Sequence, residues 1–275
     1  MNLKIYNNYS RLNLSLFILP VFLLFSIVVF IYSINALSID GYIQIQKDSF
    51  FSANHILGQY PNLQYNLTQF GDALIFLSFL SIFIVYAPKM WEALVLGSLV
   101  SCLLSYILKQ IFGVPRPAAV FDNDSFIIVG KTLSGHNSLP SGHSITIFTT
   151  LTILLFAYMP CELKRRILWF FLIITTGLIL ALTRVGVGAH YPLDVVVGGI
   201  IGYISGLTGI FISRKYKILN WLGNKKYFPV LILFFITACA LIIIKINNEN
   251  LIIFYLSLIS LVVSLYKILT IYVKK

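Results

Sequence analysis

The feature that most constrains this chain is a run of 28 residues, Leu12 to Ile39, that contains no Asp, Glu, Lys, Arg or His. A helix needs about 20 apolar residues to cross a bilayer, so this run is long enough to span one. It is too long for the apolar core of a signal peptide, and Ile34-Asn35-Ala36 is a poor cleavage site. We therefore predict an uncleaved first membrane span.

Seven further apolar runs follow, and the eight runs together predict an all-α, polytopic transmembrane helical bundle. The seven are Ala73–Ala87, Ala93–Leu108, Ser144–Met159, Ile167–Leu182, Val195–Ser213, Tyr227–Ile244 and Leu251–Tyr266. The composition agrees, because only 11% of the residues are charged, whereas soluble domains carry about 25%. The same figure excludes a disordered chain, and three cysteines in 275 residues exclude a disulfide scaffold.

The net charge of +11 is explained by membrane topology. With a cytoplasmic N-terminus and alternating spans, 14 Lys and Arg residues fall on the inner side and 6 on the outer side. This bias follows the positive-inside rule. It predicts cytoplasmic N- and C-termini in a membrane that we take to be a bacterial inner membrane. We expect no nucleic-acid partner, and anionic inner-leaflet lipid near Arg214–Lys226 is a candidate partner.

Ionisable groups predicted on the outer face cluster at the ends of four successive spans. Guanidinium forks suit the oxygens of phosphate, and free N–H groups at the start of a helix favour an anion. The clustered ions and the helix start before the fourth span therefore predict a phosphate-binding group. Its members are Lys109, Arg116, Ser141, Gly142 and Arg184.

His190 and Asp194 lie four residues apart, so a helix that begins near His190 would present both on one face. The carboxylate would hold one ring nitrogen and leave the other as a nucleophile. His143 is then the natural general acid for the departing oxygen. This arrangement predicts two-step phosphoryl transfer through a phosphohistidine. Three fixed cations can neutralise the phosphate, and we see no metal-ligand set, so we expect no metal and no cofactor.

These segments resemble the signature of the type 2 phosphatidic acid phosphatase superfamily, which reads K-x6-RP, then PSGH, then SR-x5-H-x3-D. Lys109 to Arg116-Pro117 matches the first motif in full, and Pro140-Ser141-Gly142-His143 matches the second in full. Arg184, His190 and Asp194 match the third at the correct spacing, with Thr183 where the superfamily usually has Ser. The resemblance covers roughly Ala73 to Ser213.

The resemblance implies a six-helix core with its site at the outer membrane face. It also implies that His143 is the acid, His190 the nucleophile and Asp194 the residue that orients it, while the five phosphate binders keep their role. The chain would then comprise an N-terminal span with an outer interfacial loop (1–72), a phosphatase core (73–213) and two additional C-terminal spans (214–275).

The implied activity is hydrolysis of a lipid phosphate or diphosphate at the outer leaflet. Undecaprenyl diphosphate, phosphatidate, phosphatidylglycerol phosphate and lipid A are the candidate substrates. The alternatives are a lipid phosphotransferase that passes the phosphoryl group to another lipid, and a non-catalytic lipid transporter. No feature of the sequence predicts an oligomeric state.

Two features outside the motifs have open interpretations. His136 lies seven residues before His143, where it would either contact the substrate or be an ordinary loop residue. The segment Asp40–Asp72 is rich in Tyr and Phe, which favour the bilayer interface. We predict a loop or short helix lying flat there, with a lid or a wall for an incoming lipid as the alternative.

Overall fold

The computed structural model describes residues 1–216, 218 and 225–273, and the chain forms no β-strand within them. These residues contain thirteen α-helices. They are α1 (Asn2–Ser10), α2 (Ile18–Ser33), α3 (Ile39–Gln44), α4 (Lys47–Gly58), α5 (Pro61–Thr68), α6 (Ala73–Phe79), α7 (Phe83–Tyr86), α8 (Pro88–Phe112), α9 (Gly142–Ala157), α10 (Leu163–Gly186), α11 (Pro192–Lys215), α12 (Phe228–Glu249) and α13 (Ile252–Val273). The predicted all-α, polytopic bundle is confirmed.

Six of the eight predicted spans coincide with helical stretches that are long and apolar enough to cross a membrane. They are Leu14–Ser33, Pro88–Ala119, Leu163–Gly186, Pro192–Lys215, Lys225–Glu249 and Ile252–Val273. The chain is therefore a helical membrane protein. The other two predicted spans form shorter helices, for different physical reasons.

The run Ala73–Ala87 forms two short helices, α6 and α7, where a single span was expected. The chain turns between them, so the Phe79 carbonyl lies outside the regular helical hydrogen-bonding pattern. The Ser260 hydroxyl of α13 donates to the Phe79 carbonyl at 3.1 Å, and Ser81 and Ser264 share a hydrogen bond of 2.7 Å. Buried backbone groups need such partners, so the packing of α13 stabilises the break.

Helix α9 has only 16 residues, about 24 Å, and is the most enclosed helix of the bundle. The N-terminal helix α1 packs against its far end. Asn8 Nδ2 donates to the carbonyls of Ala157 and Met159 at 3.0 and 3.2 Å, and the Tyr9 hydroxyl donates to the Ile153 carbonyl at 3.2 Å. The bond to Ala157 satisfies a carbonyl that the end of α9 leaves without a partner.

Helix α11 packs against α9 through glycines. A Cβ atom on Gly202 would lie 2.5 Å from the Ile145 carbonyl oxygen, and one on Gly198 would lie 2.7 Å from the Ser141 carbonyl oxygen. Only glycine allows backbones to approach so closely, as is common between membrane helices. The close packing lets the Ser141 backbone N–H donate to the Asp194 carbonyl at 3.0 Å, which joins the first turns of the two helices.

The segment between α2 and α6 forms α3, α4 and α5, which pack on the bundle. The predicted loop or short helix is therefore a set of three short helices. Tyr42, Phe50 and Asn54 are buried, and Asn54 Nδ2 donates to the carbonyls of Ile127 and Val185 at 2.9 and 3.0 Å. These contacts attach the segment to the loop before α9 and to the end of α10.

The C-terminal helices α12 and α13 form a hairpin whose second helix packs against α6. At one end of the bundle, Lys245 Nζ lies 2.9 Å from Asp72 Oδ2, and Asn66 Oδ1 accepts a hydrogen bond from the Ile253 backbone at 3.2 Å. The predicted lipid-binding stretch Arg214–Lys226 includes residues 217 and 219–224, which lie outside the described residues.

Candidate active site

The motif residues meet at one end of the four consecutive helices α8 to α11. Neighbouring helices in this group run antiparallel, so the end of one lies beside the beginning of the next. Lys109 lies in the last turn of α8 and Arg184 in the last turn of α10. His143 lies in the first turn of α9, and Asp194 in the first turn of α11.

His190 and Asp194 form a buried pair. His190 Nδ1 lies 3.4 Å from Asp194 Oδ2, and the two side chains are 1% and 0% exposed. Pro192 occupies the first turn of α11, where its missing N–H costs nothing. Asp194 Oδ2 also accepts the Tyr191 backbone N–H at 3.0 Å, so the helix start itself fixes the carboxylate.

Two hydroxyl groups that the sequence prediction missed also hold this carboxylate. Tyr42 donates to Asp194 Oδ1 at 2.8 Å, and Ser138 donates to Asp194 Oδ2 at 2.5 Å. Burial and the neighbouring carboxylate raise the pKa of the Tyr42 phenol far above its ordinary value, so its hydroxyl stays protonated and remains a donor. Ser138 directly precedes the second motif, whereas no sequence signal links Tyr42 to a residue 152 positions away.

The His190 ring is oriented for attack by one particular nitrogen. Its contacts with Asp194 and with Ser138, at 3.3 Å, both involve Nδ1, so Nε2 is the nitrogen that can face a substrate. Burial, followed by the positive charges of Arg116 and Arg184, lowers the pKa of His190 well below its ordinary value. The imidazole is therefore neutral at pH 7, the state that a nucleophile requires.

The two arginines are fixed by partners but keep donors available. Arg116 Nε donates to Asn137 Oδ1 at 2.7 Å and its Nη1 donates to the Ala189 carbonyl at 3.3 Å. Arg184 Nη1 donates to Thr68 Oγ1 at 2.8 Å, while its buried Nε has no hydrogen-bond partner among the described residues. A buried guanidinium donor without a partner is well suited to receive a phosphate oxygen.

The Lys109 ammonium group lies beside the first turn of α9. A Cβ atom placed on Gly142 would be 3.6 Å from Lys109 Nζ and 3.3 Å from Ser105 Oγ, so a side chain there would occupy the space next to the ammonium group. Glycine leaves that space free at a helix N-terminus, where backbone N–H groups point outward. The predicted pair of Lys109 and Gly142 is therefore brought together.

The hydroxyls of Ser141 and Thr183 form hydrogen bonds with groups of their own helices. Ser141 Oγ caps α9 by accepting hydrogen bonds from the Ser144 hydroxyl and backbone at 2.9 and 3.4 Å. Thr183, at the position where the signature has Ser, donates to the Leu180 carbonyl of its own helix at 2.5 Å. Both side chains are buried. Their hydroxyls therefore stabilise the helix ends that present the anion-binding groups.

A cavity of about 140 Å³ opens beside these groups. His143 and Arg184 line it together with Tyr65 and Thr68 of α5. Burial and Glu249 raise the pKa of Tyr65 to about 12, so this wall presents a neutral hydroxyl. The cavity is smaller than the roughly 300–1,000 Å³ of a drug-sized ligand site. It can hold a phosphate group but not a lipid tail.

The ring of His143 packs against a glycine of the N-terminal segment. A Cβ atom on Gly71 would approach the His143 ring and Cβ to within 2.3–2.6 Å, which no side chain could accommodate without moving the histidine. His136 is exposed, and its neighbour Asn137 makes the contact with Arg116. No group of three or more His, Cys, Asp or Glu within the described residues is placed to hold a metal ion.

Residues 90–219 match the model of the PAP2 superfamily. The chain is 35% identical over 140 residues to the lipid A 1-phosphatase of Rhizobium etli, which covers 47% of this chain and 55% of that protein. It is 25% identical over 138 residues to the undecaprenyl-diphosphatase of Sulfolobus acidocaldarius, covering 50% of this chain and 62% of that protein. The chain thus spans between half and two thirds of the length of these curated relatives.

A solved structure is also similar. The crystal structure of Aquifex aeolicus LpxE aligns with a TM-score of 0.48 and 24% sequence identity, and the alignment covers 61% of this chain and 95% of that chain.

Proposed function

We propose that this protein is an integral-membrane, metal-independent phosphatase that removes phosphate from a lipid phosphate or diphosphate through a phosphohistidine. The observation that carries the proposal is the buried His190–Asp194 pair, at 3.4 Å, at the end of the bundle where Lys109, Arg116 and Arg184 also lie. A neutral imidazole held at one nitrogen, close to three cations, is suited to attack a phosphorus atom whose oxygens those cations hold.

In the first step, His190 Nε2 attacks phosphorus and the bond from phosphorus to the lipid oxygen breaks. His143 donates a proton to that departing oxygen, which leaves as a lipid alcohol or, from a diphosphate, as a lipid monophosphate. In the second step, His143 accepts a proton from water as the water oxygen attacks phosphorus. The nitrogen–phosphorus bond breaks, inorganic phosphate forms, and His190 returns to its neutral state.

The remaining site residues have supporting roles in this proposal. Lys109, Arg116 and Arg184 neutralise the phosphate oxygens, and the first turn of α9 at Gly142 adds backbone donors. Asp194 keeps the proton on Nδ1 of His190 and compensates the positive charge that the ring acquires on phosphorylation.

The substrates proposed are those of the relatives together with other lipid phosphates. The relatives' names specify lipid A and undecaprenyl diphosphate, and phosphatidate and phosphatidylglycerol phosphate carry the same reacting group. A 140 Å³ cavity accommodates this shared group and leaves the lipid tail outside it.

The proposed topology places this site on the outer face of a bacterial inner membrane, with both termini in the cytoplasm. The excess of Lys and Arg in the segments assigned to the inner side supports this orientation. Cys161 is exposed in the α9–α10 connection, at the opposite end from the motif residues. In intact spheroplasts, a membrane-impermeant maleimide should spare Cys161 and label a His136→Cys variant, and the reverse pattern would contradict the orientation.

The activity is tested by phosphate release from purified protein in detergent with EDTA, using a panel of the four lipid classes. Wild-type protein should release phosphate without an acceptor lipid, and rapid quenching should trap an acid-labile phosphoprotein that His190→Ala lacks. Release that requires a second lipid would favour the phosphotransferase. Lipid transfer between vesicles that survives His190→Ala, without phosphate release, would favour a transporter.

A further inference from the structure

A second cavity lies at the end of the bundle opposite the motif residues, between the α1–α2 connection and the α9–α10 connection. Its volume is about 360 Å³, and its lining includes Arg11, Arg166, Asn8, Asn13 and Ser15. Phe156, beside the end of α9 at Ala157, also lines it. None of these lining residues takes part in the proposed reaction.

Both walls of this cavity are held by hydrogen bonds. Arg166 Nε and Nη2 donate to the carbonyls of Pro160 and Cys161, each at 3.3 Å. Arg214 Nη1 and Nη2 donate to the carbonyls of Leu12 and Ser10 at 2.8 and 3.2 Å. A guanidinium has five N–H donors, so Arg166 retains three after fixing its own loop.

The charge of the cavity is positive. Arg11 is exposed at its rim and Arg166 lies in its wall. The acidic residue of the adjoining loop, Glu162, is engaged by Arg165 at 2.9 Å and does not line the cavity. Two guanidinium groups with amide and hydroxyl groups beside them match the oxygens of a phosphate diester.

An apolar groove of about 460 Å³ continues from this cavity along the outside of the bundle. Phe170 of α10 lines both, so the basic cavity and the groove adjoin. The groove lies between Leu19 and Leu23 of α2 and the α10 face from Phe170 to Leu182. From the first to the last of these thirteen residues, α10 rises about 18 Å, slightly more than half of the roughly 30 Å hydrocarbon core.

We propose that the basic cavity and the adjoining groove together bind one anionic phospholipid, which is distinct from the substrate. Its headgroup phosphate lies between Arg11 and Arg166, and one acyl chain lies in the groove along α10. The charge selects an anionic headgroup, and the length of the groove fits a chain that crosses one leaflet. A bound lipid joins α1, α2 and α10, so it stabilises the folded protein without entering the reaction.

Retention of lipid by the full-length protein in detergent tests this proposal, measured by native mass spectrometry with equal amounts of dioleoyl-phosphatidylglycerol and dioleoyl-phosphatidylcholine. Wild-type protein should retain one phosphatidylglycerol in preference to phosphatidylcholine. Arg11→Gln and Arg166→Gln should each weaken retention about 10-fold, because each removes a charge-assisted contact with phosphate. The matched control Arg165→Gln, one residue from Arg166 but outside the cavity, should bind as wild type.

Two further measurements keep the test decisive if Arg166→Gln disturbs its loop. Leu178→Trp should fill the groove and weaken retention while both arginines remain. Inorganic phosphate alone should not reproduce the thermal stabilisation that phosphatidylglycerol gives. Equal retention of the two lipids, unchanged binding by Arg11→Gln or by Leu178→Trp, or full stabilisation by inorganic phosphate would each overturn the proposal.

Discussion

Two regions of the chain contribute to the site in different ways: the first is helices α8 to α11, and the second is the segment from Ile39 to Gly71. Helices α8 to α11 and their connections supply every group with a proposed chemical role, and these groups fall in three compact motifs. The segment from Ile39 to Gly71 supplies Tyr42, Thr68 and Gly71, which hold Asp194 and Arg184 or pack on His143. Chemistry is therefore encoded locally, whereas positioning depends on single residues whose partners lie more than 70 positions away.

The largest expected effect tests the first region. His190→Ala should lower phosphate release by about 10⁴-fold or more, because no other group can form the covalent intermediate. His55→Ala, an exposed histidine of α4 in the second region, should leave activity unchanged. A His190→Ala variant within ten-fold of wild type would show that the motifs do not carry the reaction.

The next largest effect concerns Asp194, a residue of the first region that accepts a hydrogen bond from Tyr42 of the second. Asp194→Asn should lower kcat by about 10²–10⁴-fold, since an amide group cannot accept all the donors that surround the carboxylate. Its NH₂ would face one of Tyr42, Ser138 or the Tyr191 N–H. Steady-state kinetics should give a nearly unchanged KM. A loss confined to KM would instead assign Asp194 to substrate binding.

A smaller effect is expected in the second region. Tyr42→Phe removes one hydrogen bond to a buried carboxylate, and kcat should fall about 10-fold. Ser138 and the Tyr191 N–H still hold Asp194, which limits the loss. The matched control is Tyr60→Phe, which alters an exposed tyrosine of the same segment. If Tyr42→Phe were as damaging as Asp194→Asn, positioning and chemistry could not be assigned to separate regions.

The smallest effect is the response to mild acid. The pKa of His190 is lowered by burial and by the nearby arginines, so its neutral form persists below the ordinary histidine value of about 6.5. As pH falls from 8 to 6.5, kcat/KM should therefore not fall, because the nucleophile stays neutral while the acid His143 becomes more protonated. An acid limb centred at or above pH 6.5 would contradict the lowered pKa.

Much of the fold could be predicted because a bilayer imposes simple rules on sequence. The runs Ile167–Leu182 and Val195–Ser213 lie within α10 and α11 because spanning helices must be long and apolar. The alternation of spans also predicted that Lys109, His143, Arg184 and His190 would meet at one end. The break between α6 and α7 was not predictable, because the run contains no charge, Pro or Gly and the break depends on Ser260 from α13.

Sequence-based prediction failed mainly for the second region, the segment from Ile39 to Gly71. Tyr42 and Phe50 were attributed to the bilayer interface, where aromatic residues are frequent. In the structure they are buried against the bundle, and Tyr42 bonds Asp194. Aromatic composition is the same for a surface helix and for a helix packed on a site. Only long-range contacts separate the two, and a single sequence does not contain them.

The hydrogen bonds of α1 have a consequence for biosynthesis. Asn8 leaves the ribosome 149 residues before its partner Ala157. At synthesis rates of about 5–20 residues per second, Ala157 is synthesised roughly 7–30 s after Asn8. During this interval, Ile5 and Tyr9, which are buried in the finished protein, remain uncovered at the membrane surface. The first helix to be translated is thus unable to reach its final position until the middle of the chain has been inserted.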